Sequence, residues 1–449
     1  MIKKISIAIV IIFFTLLLVV IILPFALKNK VRERVQQELS ERIDARIELG
    51  DFKLSLIRHF PNVSLRLDGI RVIGNEPFQT DTLADIGRLF VSLDLRSVFG
   101  DSDYEVNNIR LDDASFLFIL LEDGQANWDI YIPSPSDGDE AESEDPAAEE
   151  PGNGFSLTLK EVDIRRSRVV YHDDKSLTYI DASDINGVFT GDLAMELTTL
   201  ATRDARIGAF SLRYDTWPLL SRASVLLTAE MDLDLNQFVF TFRDNELMIN
   251  ELPLVFEGMV GWPDDDLEMD FRFGAARNDF SSFLSLVPAL YTKDFGNLET
   301  AGTLKLEGFV KGAMTDTVWP GFGLTLEVNN GMFRYPALPA SVGNVQIMAS
   351  ILNPGPDLDL TVIDIPDFSM DLGGNPLEAR FRLATLVSDP QIDARIVGNL
   401  DLGMVQAFYP LEEGVVLGGR IESDVEMRGR LSAIEAGNYA DFHADGHLI

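Results

Sequence analysis

The sequence predicts a mainly β protein: an N-terminal transmembrane helix, then a strongly curved sheet interrupted by a few short helices. Three observations carry this prediction. Residues 5–27 form an uncharged apolar run, and from residue 154 onward apolar and polar residues alternate with period two. A strand, a two-residue break containing a small residue, and a resumed strand recur three times along the chain.

The run Ile5 to Leu27 has only Ser6 and Thr15 as polar side chains. As a helix it would be roughly 34 Å long, enough to cross a hydrocarbon core of about 30 Å. A cleaved signal peptide has a shorter apolar core ending at a small-x-small site, and Leu23-Pro24-Phe25-Ala26-Leu27-Lys28 offers none. No cysteine follows, so lipoprotein processing is excluded. The run reads as an uncleaved anchor occupying residues 1–30. Basic residues flank it on both sides, so charge counting does not set its orientation. A short tail left inside while the long body translocates does.

The net charge is −35 over 449 residues. Residues 133–153 hold eight acidic and no basic side chains, so most of the acidity is spread over the body. That balance argues against nucleic acid or an anionic surface as partner, both of which select basic patches. The absence of cysteine excludes disulfides, thiolate-bound zinc and thiol catalysis.

Taken in order, Val31, Val35, Leu39, Ile43 and Ile47 recur every fourth residue, which predicts an amphipathic helix ending near Gly50. Beyond it Leu65, Leu67, Ile70 and Val72 read as a half-buried strand closed by Gly74-Asn75. Asp123-Gly124, after the apolar stretch Ile109–Leu121, predicts a type I′ hairpin turn, because both central positions of that turn take positive φ. Residues 31–132 thus form an N-terminal β segment led by a helix. Residues 133–153 hold little to bury and read as a disordered acidic loop. Asp137, Asp139 and Glu140 offer calcium ligands there, but a solvated loop is the better account of them. Residues 154–449 form the continuing β body.

Within that body Phe155, Leu157 and Leu159 face one way and Ser156, Thr158 and Lys160 the other. The same alternation places Leu233 with Leu235, Phe238 with Phe240 and Phe242, Phe271 with Phe273, and Leu304 with Leu306. Phe280, Phe283, Leu284 and Val287 follow helical spacing after the capping pair Asn278-Asp279. A second short helix is expected over Leu402–Tyr409.

The threefold recurrence matches Ile109, Leu111, Ala114, Phe116 and Phe118 with Val162, Ile164, Ser167, Val169 and Tyr171. It continues in Leu326, Val328, Gly331, Phe333 and Tyr335. A small residue in such a break suits a bulge, where a sheet bends. The copies are unevenly spaced, which excludes a solenoid of fixed period.

Motifs for catalysis are missing. No nucleophile elbow, phosphate-cradling loop or zinc-protease helix is present. His443 and His447, with Asp441 and Asp445, would share a metal only on a helix. The expectation is a protein without enzymatic activity and without a cofactor.

Three stretches give the chain a family likeness. They are Asn62-Val63-Ser64-Leu65-Arg66-Leu67-Asp68-Gly69-Ile70-Arg71-Val72 behind the anchor, Asp123-Gly124-Gln125-Ala126-Asn127-Trp128, and Phe283–Tyr291 followed by Gly302–Gly308. Together they resemble the AsmA family of membrane-anchored envelope proteins. The resemblance implies an elongated, antiparallel, U-shaped sheet whose apolar inner face forms a lipid groove. It also implies an inner-membrane anchor, a periplasmic body and a role in lipid supply to the outer membrane. Family members continue beyond the point where this sequence ends, so the chain reads as a fragment or a short member.

The functional expectation is a single-pass inner-membrane protein that binds phospholipid acyl chains in an apolar β-groove. The candidate lipid-facing residues are Phe155, Leu157, Leu159, Leu233, Leu235, Phe271, Phe273, Leu304 and Leu306. The alternative is a non-enzymatic scaffold acting on outer-membrane protein insertion through envelope protein partners, its apolar rows forming a closed core.

Overall fold

A computed structural model describes residues 43–55, 62–94, 106–130, 132, 159–192, 197–263, 266–286, 299–315, 317–334, 341–403 and 418–449. The predicted anchor, the acidic loop, and Phe155 and Leu157 lie outside them. So do residues 404–409 of the expected helix at Leu402. Among the described residues no helix is long and apolar enough to cross a membrane. The described chain is mainly β, with two short α-helices, and divides into two units, residues 1–224 and 225–449.

The first unit holds β1 (Arg46–Ser55), β2 (Asn62–Ile73), β3 (Thr82–Asp94), β4 (Val106–Leu120), β5 (Glu161–Asp173), β6 (Thr178–Thr190) and β7 (Leu197–Tyr214). Each pairs with its neighbour in sequence. The helix expected to run to Gly50 is corrected at its end, where Ile47 and Leu49 lie in β1 opposite Val72 and Ile70; Val31, Val35 and Leu39 lie outside the described residues. Ile47-Glu48-Leu49 also alternates with period two, and pairing with an apolar strand outweighs the local helical stripe. Gly50 is a close approach instead of a helix end. A Cβ there would stand 2.0 Å from the carbonyl oxygen of Asp68.

The antiparallel expectation fails at one place. β4 and β5 pair in parallel, Ile109 against Val162 through Phe118 against Tyr171. A parallel pair needs a crossover, which residues 121–160 supply. The two matched sequence copies are therefore physical neighbours, and their alignment in sequence is the register of the pair.

The break in each copy is a residue in the left-handed region: Asp113 (φ 57°), Arg166 (φ 49°) and Asn330 (φ 52°), each followed by the small residue. The ladder shifts there, between Ile164 and Ser167 and between Val328 and Gly331. Such a bulge orphans a backbone N–H, which a neighbouring side chain then takes up. The N–H of Arg166 donates to Asn186 Oδ1 at 3.0 Å, and that of Glu230 to Asn245 Oδ1 at 2.7 Å.

The type I′ turn is also corrected. Gly124 has φ 86°, but Asp123 does not enter the positive region. The Gly124 N–H donates to the Leu121 carbonyl and the Leu121 N–H to the Gln125 carbonyl. This is a three-residue loop ending in one left-handed glycine. Asp123 accepts from the Gln125 N–H, which holds it in the turn.

β8 (Trp217–Asp234) enters the second unit at Val225. There follow β9 (Val239–Ile249), β10 (Leu252–Gly261), β11 (Leu267–Ala275), α1 (Phe280–Leu284), β12 (Glu299–Met314), β13 (Gly321–Arg334) and β14 (Val342–Asn353). β15 (Val362–Leu372), β16 (Asn375–Ala384), β17 (Gln391–Asp401), β18 (Arg420–Arg430), α2 (Leu431–Glu435) and β19 (His443–Leu448) complete it. The strands form an antiparallel meander from β8 to β19. The helix predicted after Asn278-Asp279 is present as α1. Asp279 stands at its N-cap without bonding a helix N–H, its carboxylate accepting from the Ser281 hydroxyl at 2.9 Å. The hydrophobic core of this unit lies under α1. Phe280 and Leu284 pack there with Leu252, Leu304, Leu306, Val328, Val342 and Leu372.

Candidate functional site

Directly opposed residues of an antiparallel pair share a face, so the register follows one face from strand to strand. In the second unit one row runs Leu233, Phe240, Val260 and Met269. The next runs Met231, Phe242, Gly258, Phe271, Val310 and Phe322. Beside it lie Phe256, Phe273, Gly308, Leu324, Ile351, Ile363, Leu383 and Ile392. One face is thus apolar from β8 to β17. Alternation alone produces it, and the bulges keep it in phase.

The opposite face is laced with ions. Arg243 pairs with Asp232, Lys311 with Asp270 (2.6 Å), Arg428 with Asp393 (2.8 Å) and Arg380 with Glu426 (3.0 Å). The Lys311 ammonium, hydrogen-bonded to Asp270, holds that carboxyl below its ordinary range. These pairs are solvent-exposed and screened, so each contributes little to stability. Their consequence is directional: the sheet has one wet face and one dry one.

Among the described residues the dry face is covered by a helix at one end, beneath α1. Beneath α1, Leu304 is 2 % and Leu306 9 % exposed. On the neighbouring strands β9, β10 and β11, Phe240, Phe242, Phe256, Phe271 and Phe273 of the same face are half-buried. Phe242 touches Phe256 and Phe271 with ring centroids 5.7 and 5.4 Å away. Phe273 lies across Gly308, where a Cβ would come within 2.2 Å of the ring. No polar side chain takes part in these rows, so they can hold a ligand only by burying apolar surface.

The candidates therefore separate. Phe271 and Phe273 share the half-buried end of the face. Leu233 (4 % exposed) packs beside Phe240's strand, and Leu304 and Leu306 are core beneath α1. Leu235 lies past the end of β8, in a turn, and Leu159 is buried just ahead of β5. Phe238, counted in sequence with Phe240 and Phe242, sits in the turn at φ 50° and leaves the row. Phe256 was missed: it keeps its phase with Gly258 and Val260 along β10, but apolar Val255 and Met259 on the other face blur the alternation there. The histidines expected to need a helix lie in β19, where residues four apart are separated by about 13 Å, too far to share a metal.

The first unit repeats the design. Leu67, Leu89, Leu111 and Ile164 form one row, and Leu65, Val91, Ile109, Val162 and Phe189 the next. The reverse face carries a bidentate pair, Arg166 to Asp113 at 2.7 and 3.0 Å, joining the left-handed residues of the two parallel strands. That hydrogen bond from Arg166 keeps the Asp113 carboxyl below its ordinary range.

Where β3 ends, β4 would expose its edge. Asn127 closes it: Oδ1 accepts from the Ile119 N–H at 2.9 Å and Nδ2 donates to the Leu117 carbonyl at 2.7 Å. Trp128 then lies against Phe118 and Tyr171. The Asn-Trp pair of the sequence motif is thus an edge cap, not a ligand site.

Residues 1–201 match the sequence model of the AsmA family. No curated protein matches the chain.

Proposed function

We propose, from a chain whose residues 1–201 carry the AsmA family signature, that this protein is a non-enzymatic lipid carrier of the cell envelope. Its dry face takes phospholipid acyl chains and contributes to phospholipid transport between inner and outer membrane. Residues 5–27 hold it in the inner membrane, with the body in the periplasm.

One observation carries the reading. The apolar face extends over strand after strand while its reverse is ion-paired, and half of it, around Phe242 and Phe271, is left half-buried without a covering element among the described residues. A soluble sheet with one apolar face must cover it. Each acyl methylene removed from water contributes about 0.8 kcal/mol, so a chain laid along the rows binds without any directional contact and tolerates varied headgroups.

The test is Phe271→Asp, read by circular dichroism and by mass spectrometry of co-purifying lipid. On this reading the variant stays folded and loses its lipid. Arg272→Ser, on the wet face, retains it. Leu304→Asp is the calibrating variant: a carboxylate under α1 costs several kcal/mol against a total stability of about 5–15, and the protein fails to accumulate. A folded Phe271→Asp protein with its full lipid load would refute the groove. An unfolded one favours a closed core, the arrangement a surface-acting scaffold would have.

A further inference from the structure

Among the described residues four buried side-chain polar atoms have no hydrogen-bond partner, and one of them, Asn245 Nδ2, belongs to the dry face of the second unit. The row of Phe256 and Phe273 continues one strand back, where Asn245 of β9 stands opposite Phe256. Along β9 its neighbours on that face are Phe242, across the left-handed Asp244, and Leu247. Asn245 itself is 2 % exposed.

The backbone orients this carboxamide. Its Oδ1 accepts from the Glu230 N–H at 2.7 Å, so the nitrogen, with two protons to donate, must point the other way. The first unit uses the same device with a different outcome. There Asn186 Oδ1 accepts from the Arg166 N–H at 3.0 Å, and its Nδ2 donates to the Asp184 carbonyl at 2.9 Å and to Asp184 Oδ1 at 2.8 Å. Capping a bulge therefore does not require an idle amide nitrogen. At Asn245 the donor is left over, buried, on the face that faces the ligand. A buried donor without an acceptor is costly, and an acceptor supplied from outside relieves that cost.

We infer that Asn245 is the polar anchor of the dry face and donates to an ester carbonyl of the bound lipid. The inference rests on the acyl-chain reading and adds one directional contact to it. Positions paired across this face from β8 to β17 carry no charged side chain, so a phosphate or an ammonium stays outside. The ester carbonyl is the neutral acceptor at the head of an acyl chain, and a carboxamide N–H matches it. Phe242 and Phe256, both half-buried with ring centroids 5.7 Å apart, stand next to Asn245 on β9 and β10. A chain entering between these rings displaces them and brings its carbonyl to the nitrogen. Every diacyl lipid carries that carbonyl, so tolerance of headgroups is kept.

For the test, the full chain is purified in detergent and stripped of lipid. It is then offered an equimolar mixture of diester and diether phosphatidylcholine of equal chain length, which differ only at the two carbonyls. Mass spectrometry reads the bound ratio. The parent should take up the diester at least about fivefold more, the worth of about one hydrogen bond. Asn245→Leu should take up both alike. Asn186→Leu, which loses the same kind of bulge cap in the first unit, should keep the parent's ratio. In the infrared, the ester carbonyl stretch of bound diester should lie at lower wavenumber in the parent than in Asn245→Leu. Should Asn245→Leu fail to fold, the parent's ratio and its stretch against the same lipid in detergent decide, an equal ratio or an unshifted stretch overturning the anchor. A parent that binds both lipids equally would overturn the anchor and leave the groove standing. So would a diester preference that survives in Asn245→Leu. A parent that binds neither lipid would overturn the groove itself, and the anchor with it.

Discussion

Asn127→Ala tests the edge-cap reading most directly. Asn127 is 1 % exposed and its carboxamide holds two backbone groups of β4 that no strand reaches. Truncation leaves the Ile119 N–H and the Leu117 carbonyl unpaired beneath Trp128. Each orphaned group costs about 1–3 kcal/mol when water is kept away. Partial hydration sets the expected loss at about 2–4 kcal/mol. Asn127→Asp keeps the acceptor for Ile119 but turns the donor into a second acceptor facing a carbonyl, so it should cost at least as much. Trp128→Ala removes ring contacts from a residue already 38 % exposed and should cost less, about 1–2 kcal/mol. Urea unfolding gives the totals, and amide exchange locates them, with the Ile119 amide losing protection first. A loss below about 1 kcal/mol for Asn127→Ala would refute the cap.

Three further outcomes follow from the fold. Asn330→Val should cost about 1–2 kcal/mol, because a β-branched residue resists the left-handed conformation, while Asn330→Gly should be near neutral, both read by thermal melting. The Ser388 hydroxyl and amide lower the Asp359 carboxyl below its ordinary value of 3.8, so its tie to the next turn is intact above that value. It is lost as pH falls through the lowered one, and amide exchange at Val387 and Ser388 should accelerate only there, with Asp359→Asn showing no such acid step. Deleting residues 133–153 should change stability by about 1 kcal/mol or less, since closure entropy varies slowly with loop length; a loss of several would mean the segment docks.

The two units solve one problem in the same way. A long row of strands with a dry face needs its side chains kept in phase. Left-handed residues at Arg166 and Asn330 keep the row in phase, because each bulge sets three residues of its strand against two of the next. Glycine opposite an aromatic serves the same face: Phe273 fills the space over Gly308 and keeps the row continuous.

By itself the sequence determined the strand content, the two-faced pattern, the break positions, α1 and the family likeness of the first 201 residues. These are properties of local period and composition, so they are readable within a few residues. The repeat even contained the register of β4 and β5, although nothing local said that the copies touch. Tertiary structure decided the rest. Pairing with β2 turned Ile47 and Leu49 from helix into strand, and the crossover made β4 and β5 parallel. Only packing against α1 separated Leu304 and Leu306 of β12, which are core, from Phe271 and Phe273 of β11, which are half-buried on the same face. Alternation assigns a residue to a face. What covers that face, and how far along the strand, depends on contacts between residues distant in sequence, and periodicity carries no record of them.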